Sequence, residues 1–374
     1  MLTTLPGAEA QSLRAIADGS WGGPAVDALR QPGAVILAGE RLAEVPGAFS
    51  ALVALAQRTG ARIGWVPRRA GERGAVEAGA LPTLLPGGRS VADAAGRADV
   101  AQRWGADVPA APGRDLTAIL TAARDGELGG LLVGGVDPGD LPDPTAALAA
   151  LDAAPFVVSL ELRASEVTER ADVVLPVAAA VEKAGTFVDW EGRNRPFTEV
   201  LRGTNAMPDV RVLHVLAEAM GADLGLPDVA AARAEIAEIG LWDGDRAAFG
   251  PVASPAPVQP AAGEAVLATW SQLLDAGRLQ DGEPFLAGTA RSAVARVSAA
   301  TAETLGVTDG AAVTVSTDRG AVTAPVLVTE MPDGVVWLPT NAAGLPVRRE
   351  LAAAPGSVVR IAVASAEIER GATA

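Results

Sequence analysis

The chain has 374 residues, enough for two or three domains with full cores, and 49% of them are apolar, which excludes a disordered protein. A net charge of −15 argues against nucleic acid or an anionic membrane surface as partner. The complete lack of cysteine rules out disulfides, a thiolate nucleophile and any cysteine-ligated zinc or iron–sulfur cluster on this polypeptide.

Residues 1–32 are polar and broken by Gly and Pro, with one short helical segment near Gln11–Asp18, and read as a lead-in from a preceding domain. The opening MLTTLPGAEAQSL carries an acid and no early basic cluster, which is not the pattern of a secretory signal. No apolar run approaches the ~18 residues that a membrane-spanning helix needs. The first clear strand is Ala34–Ala38, followed by a helix over about Phe49–Arg58 and a second strand at Arg62–Val66. That β-α-β spacing predicts a parallel sheet. The turn after the first strand reads AGERLAEVPG and lacks the G-x-G-x-x-G that brings a pyrophosphate against a helix N-terminus. No Walker A sequence follows anywhere, so nicotinamide and nucleoside-triphosphate chemistry both lose.

From Pro67 to Gly105 the chain is rich in Gly, Ala and Arg and predicts a long irregular segment, of the kind that is functional or interfacial in compact domains. Asp115 then caps a helix whose Ile119, Leu120 and Ala123 face the core, and Leu131–Val133 is a buried strand with Asp137-Pro138 just past its end. A short helix at Thr145–Leu151 leads to a strand at Phe156–Leu160, with Glu161, Ser165, Glu166 and Thr168 beyond it. A further strand, Val173–Leu175, is stopped by Pro176. After it, polar chemistry is dense through Glu182, Lys183, Thr186, Asp189, Trp190, Glu191 and Arg193. This predicts a loop at the carboxyl edge of an open sheet, where ligands usually sit. The six carboxylates of Asp137, Glu161, Glu166, Glu182, Asp189 and Glu191 are expected along that one edge, only partly offset by Arg163, Arg193 and Arg195.

Helices are predicted over residues 209–221 and about 229–238, each opened by Pro-Asp. His214, the only histidine, lies in the first and reads as a helix-surface or half-buried residue. GPVASPAPVQPAAGE (250–264) is a Pro/Ala linker and the clearest domain boundary. Short strands follow at Ala293–Val297, Ala312–Ser316, Ala321–Val328, Gly334–Leu338 and Val358–Val363, with a helix at Thr301–Leu305 and a hairpin turn at Asp318-Arg319-Gly320.

Three of these stretches carry a resemblance. ADVVLPVAAAVEKAGTFVDWEGRNR (171–195), RGAVEAGALPTLLPGG (73–88) and TAETLGVTDGAAVTVSTDRG (301–320) resemble the molybdopterin oxidoreductase superfamily. Within it they are most similar to the C-terminal half of the G subunits of bacterial NADH-quinone oxidoreductase, respiratory complex I. The resemblance implies an α/β fold: a Rossmann-like, mostly parallel sheet domain over 33–249, then the 250–264 linker and a C-terminal double-psi β-barrel over 265–374.

By the same resemblance, Asp137, Thr186, Arg193 and Asn341 occupy positions that hold a pterin in cofactor-bearing relatives. Asp137 and Asn341 equally fit plain turns, with Pro138 and before Gly344. The chain departs from the pattern at SEVT, where relatives show T-E-T, and at VDW, where active relatives show a T-N pair. The reading is therefore a non-catalytic structural region with no cofactor of its own. Iron–sulfur clusters are expected only on a Cys-bearing N-terminal half not present here. Implied partners are that half and other peripheral-arm subunits, on the cytoplasmic face of the membrane. The alternative is a fragment of a molybdenum or tungsten enzyme of the formate-dehydrogenase type, sharing molybdopterin guanine dinucleotide with another domain. A stand-alone small-ligand protein is the third reading, and no motif supports it.

Overall fold

The computed structural model describes residues 3–21, 23–67, 70–245 and 250–364. The first two residues of the expected lead-in and the last ten of the expected barrel domain lie outside the described residues. Two compact units emerge, one of residues 1–65, 139–145 and 251–374, the other of 66–138 and 146–250.

The first unit opens with helices α1 (Glu9–Asp18) and α2 (Gly23–Leu29), strand β1 (Val35–Gly39), helix α3 (Ala48–Thr59) and strand β2 (Arg62–Val66). In α3, Ala48, Ala51, Leu52, Leu55 and Ala56 are buried at the helical period, and Gly47 and Gly60 flank it in the left-handed conformation. That stripe meets Ala10 of α1 and Val45 in one apolar cluster. The Ala34 carbonyl accepts from the Arg62 N–H at 2.9 Å, so β1 and β2 begin at the same end of their two-stranded sheet. The Pro/Ala segment is tied to these helices. Gln11 Nε2 donates to the Pro255 carbonyl at 2.6 Å, and the Val252 N–H donates to Ser50 Oγ at 3.0 Å.

The second unit begins with α4 (Glu72–Glu77), the short antiparallel strands β3 (Leu84–Leu85) and β4 (Arg89–Ser90), and α5 (Ala94–Trp104). The expectation of an irregular stretch here is corrected. These elements carry little apolar periodicity and are fixed by polar groups instead. Asp93 caps α5 by accepting from Ala95 N and Gly96 N, and Arg89 organises the hairpin. Next come α6 (Leu116–Arg124), capped by Asp115 at Ala118 N, then β5 (Leu131–Gly134), α7 (Pro144–Ala153), β6 (Val157–Glu161) and β7 (Val173–Pro176).

Strands β5, β6 and β7 form a parallel sheet with Leu131 opposite Val157 and Val158 opposite Val173. Leu151 of α7 and Val167 cover one cluster of its side chains, with Val157, and Val212 covers another with Leu160 and Val177. Each such fully buried Val or Leu contributes about 1.5–3 kcal/mol. β5 is less enclosed than its composition suggests, since Leu132 is exposed.

The 171–195 stretch is also corrected. It holds an antiparallel hairpin of β8 (Gly185–Val188) and β9 (Asn194–Phe197), with Thr186 opposite Pro196. Gly185 is required there: a Cβ would sit 2.3 Å from the Phe197 ring. Helices α8 (Asp209–Ala219) and α9 (Val229–Ile239) complete the unit. His214 of α8 is buried, not half-exposed.

The remaining elements are β10 (Glu264–Trp270), α10 (Pro284–Ala287), β11 (Ala295–Val297), α11 (Ala299–Leu305), β12 (Ala312–Ser316), β13 (Ala321–Val328), β14 (Val335–Pro339), α12 (Val347–Leu351) and β15 (Val358–Val363). Six strands close into a barrel in the order β10-β14-β11-β13-β12-β15. Two pairs are parallel, β10 with β14 (Val266 opposite Val335) and β11 with β13 (Ala295 opposite Val326), and the others antiparallel. This is the double-psi β-barrel. Alternate residues such as Val313 and Val315, and Val322, Ala324 and Val326, point into its core, with Leu267, Leu338 and Ile361. β10 is a strand that sequence patterning passes over: AVLATW follows a proline-rich run and shows little period-two contrast.

Candidate functional site

The carboxyl edge of the β5-β6-β7 sheet carries the residues that the sequence places at a ligand site. Asp137 follows β5 and is half-buried, just before the turn Pro138–Asp140. Glu161 ends β6, and its Oε1 accepts from the Leu162 N–H at 2.8 Å. Ser165 and Thr168 then bond reciprocally. The Ser165 N–H donates to Thr168 Oγ1 at 2.7 Å, and the Thr168 N–H to Ser165 Oγ at 3.2 Å. Beyond β7, Glu182 Oε2 accepts from the Ala179 N–H at 2.9 Å, and the Lys183 ammonium pairs with Asp209 at the start of α8. That carboxylate is also favoured by the helix N-terminus.

The expected single acidic edge divides. Asp189 and Glu191 lie in the turn of the β8–β9 hairpin, which is a separate sheet. Asp189 is a turn organiser. Its Oδ1 accepts from the Glu191 N–H at 3.1 Å and the Arg193 N–H at 2.9 Å, and its Oδ2 accepts from Arg195 Nε at 2.9 Å. The bond from the Arg193 N–H leads in holding its carboxyl below the usual range; Arg195 adds to it, against an opposing push from burial.

Of the four residues expected to hold a pterin, Thr186 and Arg193 share the hairpin. Asp137 belongs to the edge of the other sheet, and Asn341 to the barrel unit. Thr186 Oγ1 accepts from Arg233 Nε at 3.0 Å, and Arg193 is exposed and pairs with Glu191 at 3.2 Å. The Asn341 carbonyl accepts from the Ala276 N–H at 2.9 Å. A pterin dinucleotide brings phosphates, which require cations and N–H groups facing them. Here the Thr186 hydroxyl is engaged by the Arg233 guanidinium and the Arg193 guanidinium by the Glu191 carboxylate.

Sequence reasoning missed two arginines that build the unit. Arg233 of α9 clamps the hairpin through Thr186 and through the carbonyls of Gly185 and Phe197. Arg89 is buried, with its guanidinium 5.1 Å from the Trp242 ring, and it donates to the carbonyls of Pro86, Ile239 and Gly240. In an arginine-rich chain with a single lysine, neither residue stands apart from the solvent-facing cations by type or spacing. Among the described residues, no group of three or more His, Asp or Glu side chains could hold a metal ion, and no helix is long and apolar enough to cross a membrane.

Comparison with known proteins shows what the chain is similar to. The Molybdopterin oxidoreductase family matches residues 27–219, more than half of the chain, and the Molydopterin dinucleotide binding domain matches residues 280–372. The NADH-quinone oxidoreductase G subunit of Mycobacterium tuberculosis is 58% identical over 98% of this chain and 45% of that protein. The Streptomyces coelicolor G subunit is 54% identical over 98% of this chain and 44% of its own length. Acetylene hydratase from Pelobacter acetylenicus is a solved structure of looser likeness, with a TM-score of 0.45 and 16% identity over 72% of this chain and 49% of its own. The chain spans less than half the length of the curated relatives it matches, and aligns with their C-terminal part. It belongs to the molybdopterin oxidoreductase family.

Proposed function

We propose that this chain is the C-terminal structural region of an NADH-quinone oxidoreductase G subunit, and so part of respiratory complex I. The observation that carries this reading is the 58% identity over nearly the whole chain to a protein of that name. The chain keeps the oxidoreductase fold as a scaffold and holds no cofactor of its own. Its partners are the Cys-bearing N-terminal half of the same subunit and other peripheral-arm subunits, on the cytoplasmic face of the membrane. The engagement of Thr186 by Arg233 and of Arg193 by Glu191 supports the cofactor-free part of the reading.

A second reading has its own support. The match of residues 280–372 to a dinucleotide-binding domain, and 31% identity over 40% of this chain to a putative formate dehydrogenase of Bacillus subtilis, favour a fragment of a molybdenum or tungsten enzyme. On that reading molybdopterin guanine dinucleotide is shared with another domain, and Asp137, Thr186, Arg193 and Asn341 bind it. Molybdenum and tungsten analysis, with pterin fluorescence after oxidative release, separates the two. Protein made in a host that synthesises the cofactor is expected to give neither metal nor pterin; stoichiometric amounts of either would reverse the assignment.

A further inference from the structure

The barrel unit holds a cavity of its own. Its volume is about 370 Å³, and Gln272, Leu273, Leu274, Arg291, Arg296 and Trp337 are among the residues around it. In a chain with 45 acidic residues, its lining has two arginines and no carboxylate. Arg296 on β11 lays its guanidinium 5.1 Å from the centre of the Trp337 ring, and its Nε is buried without a hydrogen-bond partner. Among the described residues neither arginine forms an ion pair. A buried N–H of a charged group left without an acceptor costs free energy that an incoming anion recovers.

The strap beside the cavity, residues 271–292, has a second peculiarity. Leu273, Leu279 and Phe285 are each at least 85% exposed, a density of bare large apolar side chains in a short stretch that calls for a cover. Two of the strap's acids, Asp275 and Glu283, are engaged locally. Asp275 accepts from the Gly277 N–H, and Glu283 from the N–H groups of Phe285 and Leu286. A phosphorylated nucleotide would satisfy the arginines and leave the leucines and phenylalanine in water. A peptide segment that mixes carboxylates with apolar side chains satisfies both.

The geometry points to a docking pocket for an acidic, apolar linear segment of the polypeptide that precedes this region in its longer relatives. The segment places a carboxylate against Arg296 and Arg291 beside the Trp337 ring, and apolar side chains over Leu273 and the rest of the strap. The charge of the pocket selects the acid. The more than half of the relatives' length that lies outside the match supplies the segment. The inference rests on the reading of the chain as one part of a longer subunit. Copurification with the complex tests that reading by itself, so either can fail alone.

The test is direct binding. Short overlapping labelled peptides, tiling the part of the Mycobacterium tuberculosis relative outside its match to this chain, are titrated with the chain and followed by fluorescence polarisation. One acidic, apolar peptide is expected to bind, about tenfold or more weakly after Arg296→Gln and after Leu273→Ser, and more weakly as ionic strength rises. Leu273 is almost fully in water, so L273S leaves the fold intact and loss of binding there is not unfolding. The proposal is overturned if no peptide binds, or if binding ignores both substitutions. It is also overturned if GMP or inorganic phosphate binds through Arg296 with no dependence on Leu273, or if the strap instead pairs two copies of the chain, seen as a dimer in sedimentation that L273S abolishes.

Discussion

Arg89 and Asp99 form the central polar contact of the second unit. The buried guanidinium donates to Asp99 Oδ2 through Nη2 at 2.5 Å and Nε at 2.9 Å, while Arg103 reaches the same carboxylate from one helical turn away at 3.2 Å. Arg89 also meets the carbonyl of Ile239, the last residue of α9, which a helix leaves without an intrahelical partner, and that of the cap residue Gly240. One side chain thus joins the β3–β4 hairpin, α5 and the end of α9.

Arg89→Leu is expected to destabilise this unit by about 3 kcal/mol, at the low end for a broken buried pair because Asp99 keeps some contact with water. The carbonyls of Pro86, Ile239 and Gly240 lose their donor at the same time. Urea unfolding of the variant beside the parent chain measures it, with the early transition assigned to this unit by hydrogen exchange. An unchanged midpoint would mean that the contact is dispensable.

The same pair sets an acid limit. Burial disfavours the Asp99 carboxylate, but the hydrogen bond and charge of Arg89, with Arg103, outweigh it and hold its carboxyl below the usual carboxylate range. A carboxyl depressed in the folded state adds stability that is fully present above the unfolded value, and is lost as pH falls through the folded one. The unit should therefore weaken as pH drops from about 4 downward. Asp99→Asn should flatten that part of the curve of unfolding midpoint against pH and leave the slope above it unchanged.

Gly185→Ala drives a methyl into the Phe197 ring, 2.3 Å away, and is expected to cost about 1–3 kcal/mol. Phe197→Leu in the same chain makes room, so the double variant should recover part of the loss. Strictly additive effects of the two substitutions in a double-mutant cycle would contradict the contact.

Arg233→Met removes the clamp on Thr186, Gly185 and Phe197. Amide hydrogen exchange across 185–197 should accelerate by about tenfold or more, while the barrel strands keep their protection. Arg193→Ala breaks only an exposed pair with Glu191 and should change stability by less than about 0.5 kcal/mol.

Where the sequence alternates cleanly between glycines or turns, its reading reaches the observed ends. β12, β13 and β15 fall at the predicted residues, because inward valines alternate with small or polar outward residues. β2 does so too, after the Gly60 that closes α3. The β8–β9 hairpin is hidden because Pro196 falls within β9, where it takes a place that needs no ladder N–H, and because its turn is held by the Asp189 side chain. The edge after β5, β6 and β7 was legible as a concentration of acids and hydroxyls. That Asp189 and Glu191 leave it for another sheet was not, since the split depends on the chain turning back at Gly192. Arg89 and Arg233 act through long-range carbonyl contacts, which no local pattern encodes.

The measurement that tests the central claim most directly is affinity purification of the tagged chain from its native cells, with the copurifying proteins identified by mass spectrometry. The account predicts stoichiometric recovery with the NADH-quinone oxidoreductase subunits, including Cys-bearing iron–sulfur polypeptide. Recovery of the chain alone, or with a molybdenum- or tungsten-bearing partner in place of that complex, would contradict it.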